Sequence, residues 1–132
     1  MALSVEALSQ TIRAVRPMVP AKDFDLSLRF YTDLGFQSRM LDHRLAEMTF
    51  GTCTFILQDY YVREWADNFV IHLFVSDLDS WWDHIDALDL PARYGVTTKA
   101  PQLEPWGVRV AGVVEPAGVL WRIHQARGPD LA

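Results

Sequence analysis

The feature that most constrains this chain is an internal repeat. Asp23-Phe24-Asp25 opens a pattern in which Phe24, Leu28, Tyr31 and Leu34 recur at helical spacing until Gly35 stops it. At an offset of 54 residues, Asp77-Leu78-Asp79 opens a second helix with Leu78, Trp81, Trp82 and Ile85 on or near one face. Acidic residues at both starts suit the positive end of a helix macrodipole. A strand is expected before each helix, over 11–19 and 69–75. Pro17 offers no ladder N–H, so the first of these must lie at an edge or next to a break. After Gly35 three strands are expected, over 36–41, 46–50 and 53–58, with Gly51-Thr52 as a tight turn. Gly118 through Gln125 lies over Gly51 through Gln58 at an offset of 67, so the second copy has a longer middle section, expected as a loop around 99–106.

Two copies of βαβββ predict an α+β fold in which each unit leaves one sheet face bare. That face must pair with a like unit, within the chain or across a dimer. At 132 residues, half of them hydrophobic, the expected organisation is one domain over 1–132. Module one covers about 11–58, a polar and aromatic linker 59–68, and module two 69–125, with 5–10 as a short helix or frayed lead-in.

The net charge of −5, with no run of Lys or Arg, argues against nucleic acid or an anionic membrane as partner and suits a cationic or neutral one. No stretch reaches the ~18 apolar residues of a membrane span, and residues 1–10 lack a signal-peptide pattern. The single cysteine, Cys53, stands in an apolar run and reads as a buried thiol in a reducing compartment, hence the cytoplasm.

Val19-Pro20-Ala21-Lys22-Asp23-Phe24-Asp25, with Phe30-Tyr31-Thr32-Asp33-Leu34-Gly35-Phe36, resembles the opening motif of the vicinal-oxygen-chelate superfamily of glyoxalases, bleomycin resistance proteins and extradiol dioxygenases. Pro105-Trp106-Gly107-Val108-Arg109, followed by Glu115-Pro116-Ala117-Gly118-Val119-Leu120-Trp121, resembles the closing motif of its bleomycin-resistance-like branch. Glu115, Ala117 and Val119 depart from that branch's final turn. The resemblance implies two βαβββ modules forming a curved mixed sheet with helices on its outer face, paired in a homodimer. It also implies four strand positions from which metal-using relatives draw their ligands. Those positions carry Arg16, Val70, Arg122 and, in the first half, Phe55. Guanidinium groups stay protonated and repel cations, so no metal or other cofactor is expected there.

Arg16 and Arg122 are then candidates for pairing with an anionic group on a ligand, or for pairing internally with acids such as Glu47 or Glu115. His72 and His124 share strand faces with Val70 and Arg122. They read as satisfied interior histidines, as ligand contacts, or as a displaced metal pair with Cys53 or Asp59. Trp106, held between Pro105 and Gly107, is a candidate for stacking on a ligand. Tyr60 and Trp65 in the linker could wall a cleft or plug a sheet end. Trp81 and Trp82 point about 100° apart on a helix and are expected to pack, and Trp121 to lie under a helix.

No catalytic residue is assigned, since no nucleophile triad or phosphate-binding loop occurs. The expectation is a metal-independent protein that sequesters a drug-like molecule, aromatic or cationic, at Phe55, Trp106, His72, Arg122, Arg16, His124, Trp65 and Tyr60. The alternative is a glyoxalase- or dioxygenase-related enzyme.

Overall fold

A computed structural model describes residues 2–127; residues 1 and 128–132, which the one-domain expectation also includes, lie outside the described residues. In chain order the elements are α1 (Val5–Ser9), β1 (Met18–Pro20), α2 (Phe24–Leu34), β2 (Gln37–Asp42), β3 (Leu45–Phe50), β4 (Cys53–Gln58), α3 (Arg63–Ala66), β5 (Val70–Val75), α4 (Leu78–Leu88), α5 (Leu90–Tyr94), β6 (Thr98–Leu103), β7 (Arg109–Val114) and β8 (Leu120–Gln125). They build two four-stranded sheets with the same topology, β1-β4-β3-β2 and β5-β8-β7-β6. In each, the first strand is parallel to the last and the rest are antiparallel. This is the doubled βαβββ arrangement that the repeat implied.

Local chemistry explains the helix limits. Asp23 Oδ1 accepts from Leu26 N at 3.1 Å and Asp77 Oδ1 from Ser80 N at 3.0 Å, so each acidic start is an N-cap that satisfies a free backbone donor. α2 ends at Gly35, whose φ of 131° favours glycine; a Cβ there would also clash with the Phe50 ring. α4 ends in left-handed Asp89, and α5 follows directly. Arg93 of α5 then reaches Asp33 of α2 at 2.7 Å, tying the second module to the first.

The core runs through both modules, between the sheets and the inner faces of α2 and α4. At its centre Tyr31 packs edge-on against Phe36, Phe55 and Trp121, with centroids 5.7, 4.9 and 5.9 Å apart. Trp121 Nε1 donates to the buried Tyr31 hydroxyl at 3.1 Å. Trp121 thus lies where its strand phase placed it, and Trp81 and Trp82 pack on the core edge. Cys53 is half-buried, and burial pushes its thiol pKa up.

Several expected boundaries shift. The first strand is the three residues of β1 and not 11–19; residues 11–18 are exposed, and β4 reaches back only to Pro17, whose carbonyl accepts from Ile56 N at 2.9 Å. The linker contains α3. The extra length of the second module lies largely in α5, with the remainder in the β6–β7 loop and the last hairpin, while Thr98–Leu103 is strand instead of loop.

The last hairpin also corrects the repeat alignment. Val19 pairs with Leu57 and Leu73 with Ile123; since Val19 and Leu73 are 54 residues apart, the last strands correspond at an offset of 66, not 67. The buried pairs Phe55/Trp121 and Leu57/Ile123 fit that register. The turn glycines misled because the second hairpin is longer, and a one-residue slip exchanges the two faces of a strand.

Candidate functional site

Strand alternation leaves one face of each sheet turned away from the helices. In the second module that bare face comes from every other residue: Val70, His72 and Phe74 of β5, Leu120, Arg122 and His124 of β8, and Val110, Gly112 and Val114 of β7. Their cross-strand partners match, His72 with Arg122, Gly112 with Arg122, Phe74 and Val110 with His124. Two adjoining hollows lie on it. One, of about 260 Å³, is floored by Leu120, Arg122 and Gly112 and bounded by Lys99 and Glu104. The other, of about 350 Å³, is lined by His72, Phe74, His124, Trp106, Val108 and Arg127.

The β6–β7 loop forms their shared wall. Gly107 N donates to the Glu104 carbonyl and Glu104 N to the Val108 carbonyl, both at 2.9 Å, closing a tight turn that carries Trp106. Gly107 has a φ of 86°, as this turn requires. The Trp106 ring is more than half exposed, and Arg127 donates to its carbonyl at 3.0 Å. Trp106 is therefore an aromatic surface held out on a fixed loop, next to Phe74, itself 42% exposed.

The histidines meet at the floor. His72 Nδ1 lies 2.8 Å from His124 Nε2, and the Phe74 ring stacks on His124 with centroids 4.6 Å apart. One of the two facing nitrogens must carry the proton while the other accepts it. Burial, together with the neighbouring His72 and Arg122, lowers the His124 pKa and favours its neutral form; Glu104 opposes them. Among the described residues no group of three His, Cys, Asp or Glu could hold a metal ion. Cys53 lies in β4 and Asp59 directly follows that strand, and neither forms such a group with the pair.

Arg122 is partly buried and donates through Nη2 to Glu104 Oε1 at 3.1 Å. Its internal partner is Glu104 and not Glu115. Arg16 pairs with Glu47 at 3.6 Å, and Arg39 approaches the same carboxylate at 3.2 Å, so this expected pairing is found. Tyr60 and Trp65 line a separate hollow of about 240 Å³ with Met18, Pro20, Gln58, Val62 and Phe69. Phe55 is the one expected contact residue that the structure removes. It is 1% exposed among Tyr31, Phe36 and Trp121, on the helix side of its sheet. The corrected register puts Ile56 in the position opposite Arg122.

With the register corrected, the four positions that the sequence resemblance marked for metal ligands carry Arg16, Val70, Ile56 and Arg122. Two guanidiniums and two hydrocarbon side chains offer no donor to a cation, so this set does not fit a metal. Glu104, Phe74, Gly112 and Arg127 were not singled out from the sequence. A two-residue period from His72 points to Phe74, whereas Glu104, Gly112 and Arg127 join only through strand pairing and the course of the loop.

Neither a family model nor a curated protein sequence matches the chain. Solved structures do, and they define the fold as that of the vicinal-oxygen-chelate superfamily. Among them is a bleomycin-binding protein complexed with bleomycin, 24% identical, with a TM-score of 0.76 over 88% of this chain and 100% of its own. A bleomycin resistance determinant encoded on transposon Tn5 is similar at 24% identity, with a TM-score of 0.75 over 89% and 100%. Lactoylglutathione lyase from Agrobacterium tumefaciens shares the fold at 16% identity and a TM-score of 0.66, over 92% and 99%.

Proposed function

We propose that this chain binds and sequesters a small, flat or amphipathic molecule without a metal, in the manner of bleomycin resistance proteins. The observation that carries the reading is the open face of the second module, where Trp106 and Phe74 present aromatic surface beside His72, His124 and Arg122 in two adjoining hollows. Burial of an aromatic ligand against such walls supplies affinity, and the few polar groups orient it. The similarity to bleomycin-binding structures supports the same reading.

The chain acts in this reading as a homodimer, because both bare faces expose apolar side chains to water, and burying them is favourable. Met18 is 44% exposed in the first module, and Val70 and Phe74 are each 42% exposed in the second. A cleft closed by two subunits would cover them, and sedimentation of the purified protein checks this. No helix of the described residues is long and apolar enough to cross a membrane.

A panel of aromatic and glycopeptide ligands screened by thermal shift tests the function. A true ligand raises the melting temperature, since it binds only the folded state. The Trp106→Ala variant should bind it ~1–3 kcal/mol more weakly if the ring stacks on it. Unchanged affinity would remove Trp106 from the site.

The His72–His124 contact favours one second reading, acid–base chemistry on a bound substrate with Arg122 beside the developing oxyanion. Ligand recovered chemically unaltered after prolonged incubation with stoichiometric protein argues against it.

A further inference from the structure

The charges that face the hollows of the second module point away from a cationic ligand, although the chain as a whole is acidic at −5. Among the described residues Glu104 is the only carboxylate lining either hollow. It is already engaged, 3.1 Å from Arg122. Against it stand Lys99 and Arg122 around one hollow and Arg127 at the other, with the two imidazoles between them. The bare face of the first module repeats the balance, since its Glu47 is shared by Arg16 and Arg39 at 3.6 and 3.2 Å. An ammonium group entering here would lose water, meet no unpaired carboxylate and approach several fixed positive charges.

An anion meets the opposite situation. Arg122 makes a single hydrogen bond to Glu104, and a guanidinium has five donors in a planar fork, so it can serve a second carboxylate. Arg127 is exposed at the rim and uses one Nη2 donor on the Trp106 carbonyl. The His72–His124 pair adds a hydrogen-bonding floor that can donate or accept by changing tautomer. Phe74 and Trp106 supply flat apolar surface within the same hollow.

We propose that the hollows of the second module are selective for an aromatic or conjugated anion, with its ring against Trp106 and Phe74 and its carboxylate, phenolate or enolate group toward Arg122 and Arg127. This rests on the small-molecule-binding reading above and narrows it to a chemical class. The net acidity of the chain then slows encounter at long range, while the local field decides what stays bound.

Three probes on one scaffold separate the possibilities: 1-naphthoate, 1-naphthalenemethanol and 1-naphthylmethylammonium, titrated calorimetrically at low salt and pH 7. The expected order is naphthoate tightest and ammonium weakest, with at least a tenfold gap between them. Arg127→Gln, at an exposed position, should weaken naphthoate several-fold more than naphthalenemethanol, whereas a merely structural loosening of the Trp106 loop would weaken both alike. Equal or tighter binding of the ammonium probe overturns the anion inference and leaves the binding reading standing. No saturable binding by any of the three overturns both.

Discussion

Glu115 offers a sharp test of how the two modules are joined. Its side chain is 1% exposed at the start of the last hairpin, where Oε1 accepts from Ala117 N at 2.6 Å and Val119 N at 3.1 Å. Oε2 meets the Ser27 hydroxyl of α2, in the other module, at 3.3 Å. The two backbone donors, Ser27 and Tyr31 favour the carboxylate, but loss of hydration outweighs them and raises the pKa from 4.5 to about 7. Burial, with the nearby carboxylate adding to it, holds the Tyr31 hydroxyl pKa well above its ordinary value, so Tyr31 stays neutral throughout.

The folded pKa is above the unfolded one, so the neutral acid is favoured in the folded state. Its contribution to stability is fully present below pH 4.5 and is lost as the pH rises through 7. At about 1.4 kcal/mol per pKa unit, the loss between those limits is roughly 3 kcal/mol. Glu115→Gln keeps an acceptor for the two backbone N–H groups and donors for Ser27, and it cannot ionise. Urea unfolding from pH 4 to pH 8 should show the variant close to wild type at the acid end and gaining on it by up to about 3 kcal/mol at the alkaline end. Parallel stability curves for the two proteins would falsify the burial argument, because they would mean that Glu115 titrates normally in the folded state.

Other expectations follow from single contacts. Gly35→Ala meets both a positive φ and the Phe50 ring, and should destabilise the protein by at least about 2 kcal/mol, read as a lowered urea midpoint. Gly112→Val is different: its φ is unexceptional and a Cβ there would make ordinary contacts with Lys99 at 3.6 Å and Leu120 at 4.0 Å. Circular dichroism should show an unchanged melt while ligand affinity falls at least tenfold, because the branched side chain fills the hollow. Asp77→Ala removes the α4 cap and should lower the urea midpoint, with Asp77→Asn restoring most of the loss.

The repeat, both long helices with their acidic starts, β4 and the burial of Trp121 were legible because each rests on local chemistry. A period of 3.6, an acidic cap, a stop glycine and a two-residue turn need no knowledge of the rest of the chain. The face on which Arg122, His72 and His124 lie was legible for the same reason, since alternation within one strand is also local. Phe55 shows where that reading stops. Its face depended on matching two hairpins of unequal length through their glycines, and only the pairing of Val19 with Leu57 and of Leu73 with Ile123 sets the register.

Tertiary structure alone decided which charges are spent. Glu47 was among the acids open to Arg16 from the sequence, whereas nothing local distinguishes Glu104, the partner of Arg122, from the other acidic side chains of the chain. The composition, at −5, suited a cationic or neutral partner, and the fold holds Glu47 and Glu104, the carboxylates of the two bare faces, in ion pairs. Net charge is a sum over the whole surface, and a ligand buried in a hollow interacts with the few groups within several ångströms of it. Their identity is set by strand pairing and by the path of one loop, which bring together residues that the sequence keeps apart.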